Sequence, residues 1–443
     1  MRAPLALLFG VSIVARAQDD PQDLLRQVSQ KVMDSIHRLP KYLCTLTIER
    51  SQYKIGGIFS THSCDNLAAE KKAERLKRSL YASDRLRLDV AVGTSREIFG
   101  TTNEMYSWVG DNRFDNRGLF DLVRQGAISS GSFSTFLISI FGEDRATFSY
   151  NGDITENGRQ LSEFGFQIPL EKSNYVYLFG ENRSEGVRTA AEGTFLADPK
   201  TFDLVRLTIH RALPQNTDAC ETAETFDYQQ VSLGGSAFLL ARKGFLDILS
   251  PGDEMENHMD YSACREFTGQ STLTFDPPPQ PSGSISATSD PAAPVFALPP
   301  GQPFKLAFTE PIDTAVVAAG DPIRAKFTTA ILSPSAQLLV PKGAIVLCRI
   351  MKAEHLYGKN RAFVLGVKIE SVIVGETSRP LRAVPDSSAR RFTKGEGRLT
   401  QRIDLGPLDA RQDREVRVFE FPFAHPTDVI KSGLVSSWLT LAP

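Results

Sequence analysis

The sequence predicts a mainly β protein: one opening amphipathic helix, then an antiparallel sheet, open or curled into a barrel, and beyond a linker a second, smaller β-rich domain. Three observations lead there. After a single opening stretch of helical period, apolar and polar residues alternate in run after run. The runs are separated by short turn signals and not by further long helical segments. A stretch from Pro277 to Pro303 with nine prolines then divides the chain, because so few apolar side chains cannot offset the entropy of ordering it.

Taken in order, residues 1–17 read as a secretory signal peptide: Arg2, the apolar run Ala3 to Val14, then Ala15-Arg16-Ala17 before Gln18. The run is shorter than the roughly 20 residues of a membrane span. A domain covering 18–276 opens with Leu24, Leu25, Val28, Val32 and Ile36 at three- and four-residue steps, which predicts a helix ended by Leu39-Pro40. From Tyr42 the period becomes two, with Tyr42, Cys44, Leu46 and Ile48 on one face. Alternation returns around Leu86–Val92, Ala146–Tyr150, Phe164–Ile168, Tyr175–Phe179, Leu204–Ile209, Phe226–Tyr228, Phe238–Ala241 and Tyr261–Phe275. Turns are expected at Lys54–Gly57, Asn151-Gly152, Asn157-Gly158, Gly234-Gly235 and Pro251–Asp253. The stretches 65–78 and 118–141 interrupt the pattern and are expected to hold any further helix. After the linker 277–303, a β-rich domain over 304–443 is expected, with strands at Phe304–Phe308, Ile323–Ile331, Gln337–Val340, Ala344–Met351, Ala362–Val374, Val416–Phe421 and Val435–Leu441.

The helix from Leu24 to Ile36 leading into the strand Lys41–Arg50 resembles the opening of the LolA- and LolB-type lipoprotein carriers. The resemblance implies a half-barrel that holds acyl chains in its concavity. The segments SDRLRLDVAVG (83–93), GTFLADPKTFDLVRLTI (193–209) and YSACREFTGQSTLTF (261–275) resemble a family of uncharacterised secreted bacterial proteins, which implies no activity. The run LPPGQPFKLAFTEPIDTAVVAAGDPIRAKF with LLVPKGAIVLCRI resembles the small barrel of TrbI-like conjugation proteins, with turns at Gly320-Asp321 and Pro341–Gly343. It implies an interaction barrel.

Four cysteines, Cys44, Cys64, Cys220 and Cys264, fall before the linker, and in an exported protein such a set reads as disulfides. Side-chain alternation puts Cys44 on an apolar face and Cys264 on the polar face of its own strand, which argues against joining them. The midpoint of 44 and 64 falls at the Lys54–Gly57 turn, so a hairpin would bring those two together. The expected pairs are Cys44–Cys64 and Cys220–Cys264. Cys348 sits in an apolar strand and reads as a buried free thiol.

No motif for nucleophilic, metal or nucleotide chemistry occurs, so an enzyme, a cofactor and a metal are not expected. A net charge of −2 gives no pull toward nucleic acid. The acidic run GDEMENHMD (252–260) reads as a solvated turn, and Lys71, Lys72, Arg75, Lys77 and Arg78 as a solvated helix face. Phe99, Met105, Tyr106, Trp108 and Phe114 are close in sequence and would line a cavity if the half-barrel is hollow. The expected function is non-catalytic binding of a lipid, an acyl chain of a lipoprotein or an apolar peptide, in the periplasm or outside the cell. An envelope protein partner is expected to dock on the second domain. The alternatives are a structural or adhesive protein with a filled interior that docks partners through both domains and, third, an envelope hydrolase with an unrecognised site.

Overall fold

The computed structural model describes residues 20–56, 63–93, 96–101, 108–109, 113–114, 128, 133–142, 145–179, 185–266, 298–333, 335–359, 361–375, 377–386, 414–423 and 425–442. The signal-peptide stretch and most of the proline-rich linker lie outside these residues.

The described residues open with α1 (Pro21–Arg38). Asp20 caps it, its side chain accepting from the Gln22 N–H at 3.0 Å, and proline stands in the first turn, where no N–H is needed. Its apolar stripe, Leu24, Val28, Val32 and Ile36, is buried. Each such side chain contributes about 1.5–3 kcal/mol by leaving water. Then come β1 (Tyr42–Ile55), α2 (Cys64–Lys72), β2 (Arg78–Gly93), β3 (Arg96–Thr101), β4 (Trp108–Val109), β5 (Arg113–Phe114), α3 (Thr135–Phe141), β6 (Thr147–Glu156), β7 (Arg159–Ile168), β8 (Val176–Phe179), β9 (Glu185–Arg188), β10 (Ala191–Ala197), β11 (Leu204–Ala212), β12 (Glu221–Leu233), β13 (Ser236–Ser250) and β14 (Asp253–Glu266). The large sheet runs β6-β7-β10-β11-β12-β13-β14-β1-β2-β3, every neighbour antiparallel. The first strand thus sits between the last strand of this body and the second. Its concave face and the two helices α1 and α3 share one hydrophobic core.

Local chemistry explains several joints. Asn157 and Gly158 both hold positive φ (52° and 76°) in the β6–β7 hairpin, and Gly234 and Gly235 (55° and 86°) do so between β12 and β13. Asn151-Gly152, expected as a turn, is instead a bulge within β6: the register passes from Tyr150 opposite Phe164 to Gly152 opposite Glu163.

The expected cysteine pairing is overturned. The disulfides are Cys44–Cys264 and Cys64–Cys220. Opposite Cys44 on the β1–β2 side stands Val90, and Cys64 starts a helix, so no tight hairpin brings 44 to 64. The alternation that separated Cys44 from Cys264 fails at a bulge: Thr45 faces Ser262 and Leu43 faces Arg265, so Ala263 and Cys264 together oppose Cys44. Ala263 takes φ 48°, and the extra residue turns Cys264 toward the core side. Two disulfides suit an oxidising compartment.

The second body comprises β15 (Pro303–Phe308), β16 (Ile312–Asp313), β17 (Pro322–Phe327), β18 (Ile331–Leu332), β19 (Leu338–Val340), β20 (Ile345–Leu356), β21 (Ala362–Val374), β22 (Thr377–Pro380), β23 (Ala383–Pro385), β24 (Val416–Pro422), β25 (Val429–Ile430) and β26 (Val435–Thr440). Its main strands follow β24-β21-β20-β17-β15-β26-β23 around a second core. No ladder joins β23 to β24 among the described residues, so the expected barrel is a curled sheet that stays open there. Cys348 is buried and unpaired in β20, and burial pushes its thiol well up.

The two bodies also touch directly. Ala82, Ser83 and Asp84 of β2 pair with Leu356, His355 and Glu354 of β20. Arg87 holds Asp321 with both carboxylate oxygens at 2.6 Å. Gly320, at φ 104°, lies where a Cβ would come within 2.0 Å of the Arg87 carbonyl oxygen, so only glycine fits this junction.

Candidate functional site

The concave face of the large sheet is the place where the fold could hold a ligand, and two helices occupy it. α3 (TFLISIF) is apolar and buries Phe136, Leu137, Ile140 and Phe141. Its entry is fixed by the Phe133 N–H, which donates to the Glu97 carboxylate at 2.8 Å. The Phe133 ring sits edge-on to Tyr42 and Tyr261, at 5.6 and 4.9 Å between centroids. Further along, Phe136 stacks on Tyr175 at 5.4 Å, and Phe141 meets Phe195 edge-on at 5.1 Å. α1 lies beside it, and Met33 approaches Gly142 at the end of α3.

α1 itself is held by its apolar stripe and few polar ties. Lys31 pairs with Asp203 at 2.9 Å and donates to the Thr201 carbonyl at 2.6 Å. The Leu239 N–H donates to the Ser35 hydroxyl at 3.2 Å. At the N-terminal end of α1 a groove of about 330 Å³ opens to solvent, lined by Pro21, Leu25, Phe148, Tyr150 and Phe164 among others. Phe164 meets Tyr150 at a tilt, 5.3 Å between centroids, and stacks on Phe195 at 5.1 Å, so the groove wall is continuous with the aromatic interior. A second open depression, about 380 Å³, lies over Glu156, Glu163, Thr194, Arg206 and Thr208 and is polar.

The interior is not wholly apolar. Arg211 and Glu224 face inward from β11 and β12 and form an ion pair that is almost wholly buried. Burial pushes the phenols of Tyr42, Tyr175 and Tyr228 well up, so each stays protonated.

On the opposite face of the sheet the acidic and basic runs, both expected to be solvated, meet. GDEMENHMD is mostly β14, a central strand. Glu254 accepts from Lys71 at 2.8 Å and Arg78 at 2.5 Å, Glu256 accepts from Arg78 at 2.5 Å, and Asp247 pairs with Lys71. Burial raises the Asp247 carboxyl above its ordinary range, although Lys71 opposes the shift. Beneath this network Ile55, Leu67, Leu249 and the Cys64–Cys220 bond make a small separate core that fixes α2 to the sheet. Sequence alone could not reveal the meeting, because the partners lie more than 170 residues apart.

Of the five residues expected to line a cavity, Phe99 is on β3 opposite Val90, and Trp108 pairs with Phe114 across β4 and β5. Their side chains, and all of Met105 and Tyr106, lie outside the described residues. The groove residues Leu25, Phe148, Tyr150 and Phe164 and the inner pair Arg211 and Glu224 were not singled out as a site. The signal for the pair was available: Leu207-Ile209-Arg211 and Glu224-Phe226-Tyr228 each place a charge in step with an apolar face. Among the described residues no group of three or more side chains is arranged to hold a metal ion, and no helix is long and apolar enough to cross a membrane.

No family model and no curated protein matches the chain. Among solved structures the chain is similar to a putative outer membrane lipoprotein-sorting protein domain from Vibrio parahaemolyticus, at 12% identity and TM-score 0.28, over 56% of this chain and 94% of that one. It is similar also to a DUF1329 family protein from Desulfovibrio piger, at 9% and 0.26 over 56% and 94%. A third is the Mycobacterium tuberculosis lipoprotein LppX, at 9% and 0.20 over 56% and 99%. Likenesses this slight define neither a family nor a ligand for this chain.

Proposed function

We propose that this chain is a non-catalytic protein, exported to the periplasm or beyond, that binds an apolar ligand such as a lipid, an acyl chain or an apolar peptide in the concavity of its first body. α1 is the movable cover, and the second body is the surface on which an envelope partner docks. One observation carries the reading: an open groove at the start of α1 leads from solvent through Tyr150, Phe148 and Phe164 onto an aromatic interior. Burial of the ligand's apolar surface supplies the affinity, about 25 cal/mol per Å² before ordering costs. Native mass spectrometry of protein purified gently from a periplasm, before and after organic extraction, tests it. The expected result is an extractable bound mass of a few hundred daltons that is lost in a Leu25→Trp variant with the groove filled.

The filled interior favours a second reading. Phe133, Phe136 and Phe141 already occupy the concave face, as they would in a purely structural or adhesive protein. A clean mass before extraction, together with no uptake of an added apolar probe, would select that reading.

A further inference from the structure

The floor beneath α3 is polar where its cover is not. The Arg211 guanidinium donates through Nη2 to Glu224, but its Nε finds no acceptor, and the hydroxyls of Tyr175, Thr189 and Thr222 also lack partners among the described residues. Tyr175, Thr189 and Thr222 are 4%, 3% and 1% exposed, so bulk water does not serve them. Their residues are neighbours in the fold. Thr222 is the cross-strand neighbour of Arg211, the Arg211 guanidinium lies 5.6 Å from the centre of the Tyr175 ring, and the Thr189 N–H donates to the Tyr175 carbonyl at 3.1 Å. The Phe136 ring of α3 stacks on Tyr175 and offers no hydrogen bond.

Buried polar groups left unmade are costly, and each asks for a reason. Here the charge is already balanced, since Glu224 neutralises Arg211. What remains is one N–H and three hydroxyls, all able to donate. The complement is a group with oxygen acceptors and no fixed positive charge, carried on an apolar chain that can replace α3 along Phe226 and Phe195.

Building on the ligand-binding reading, we infer that Arg211, Tyr175, Thr189 and Thr222 form a buried anchor for the acyl carbonyl oxygens of an amphiphile, and that α3 fills the place of its chain in the unliganded protein. The full-length protein is to be titrated with the fluorescent apolar probe N-phenyl-1-naphthylamine, and the bound probe displaced with lauric acid, methyl laurate and dodecane. These share chain length, and only the first two carry a carbonyl. Lauric acid, methyl laurate or both are expected to displace the probe at about tenfold lower concentration than dodecane, the worth of one or two net hydrogen bonds. If only the acid gains, the anchored group is a free carboxyl; if both gain, it is the carbonyl that acids and esters share.

In Tyr175→Phe and Thr222→Val that ratio is expected to fall toward one while Tm holds or rises, because each substitution removes an unpaired buried group. A ratio unchanged by both variants, or never above one in the parent protein, overturns the anchor and leaves the ligand-binding reading standing. A fall in Tm with the ratio unchanged also overturns it, since ordered water then serves these groups. Absence of probe binding to the parent protein removes the ligand-binding reading itself, and the anchor with it.

Discussion

The two bodies keep their interiors in different ways. The core of the second is built from strands and their flanking turns: Phe304, Phe308, Phe327, Phe363 and Trp438 interdigitate, and the indole N–H of Trp438 donates to the Ser436 hydroxyl at 2.7 Å. The core of the first is finished by two helices laid on the sheet, one of them over an ion pair and hydroxyls it does not satisfy. A core built from strands alone has no separate cover. One covered by helices has parts that can move off the sheet while its strands stay paired.

The largest effect should come from the disulfides, which belong to the first body alone. Cys44–Cys264 and Cys64–Cys220 span 220 and 156 residues. Loop-closure entropy assigns each on the order of 5 kcal/mol, an upper figure because native strain and residual denatured structure reduce it. Reduction with dithiothreitol should therefore lower the unfolding transition that carries the first body's near-ultraviolet signal and leave the Trp438 environment folded at the same temperature. A single shared shift would show that the β2–β20 ladder and the Arg87–Asp321 pair fuse the two bodies into one cooperative unit.

Next in size are truncations within the two cores. Trp438→Ala, in the body built from strands, should cost about 3–5 kcal/mol in chemical denaturation, the usual range for a fully buried tryptophan. Phe136→Ala, in α3, should cost less, about 2 kcal/mol, because the loss of packing is partly offset when water reaches the unpaired groups beneath it. Equal costs would mean that α3 is as integral as any strand, and the contrast between the two interiors would be gone.

How much of this was legible in the sequence follows the range of the forces involved. α1, the β period and the hairpin turns at Asn157-Gly158 and Gly234-Gly235 depend on neighbours within a few residues, and they stand in the structure as the residues suggest. Ala362–Val374 even keeps both expected ends as β21. What failed depends on register. One extra residue at Ala263 reversed the face of Cys264, and with it the whole disulfide pairing, because the side-chain period of a strand is two. The ion network of Lys71 and Arg78 with Asp247, Glu254 and Glu256 looked like two solvated runs, since only the folded sheet brings them together. The inward Arg211 was visible as a break in an apolar face, but its meaning came only with Glu224, Tyr175 and α3 placed around it.

The smallest expected effect tests whether the outer face of the first body tunes its stability. His210 on β11 bonds Glu221 of β12 at 3.1 Å. That bond raises the imidazole above its ordinary value against the opposing effect of burial, and it lowers the Glu221 carboxyl. A raised histidine contributes stability that is complete below its unfolded value of about 6.5 and is lost as pH climbs through the higher folded value. A lowered glutamate contributes stability that is complete above about 4.3 and is lost as pH falls through the folded value. The pair should therefore help most between about pH 4.5 and 6.5 and fade on both sides. With the His210 side chain 38% exposed, solvent screening keeps the gain at about 1 kcal/mol or less. His210→Gln should remove the decline above pH 6.5 seen for the first body by thermal unfolding, and leave the second body, where His355 is instead lowered by burial, with its own pH profile unchanged. If the variant's first body still loses stability over the same pH interval, the titrating group is elsewhere and the His210–Glu221 bond is only a surface contact.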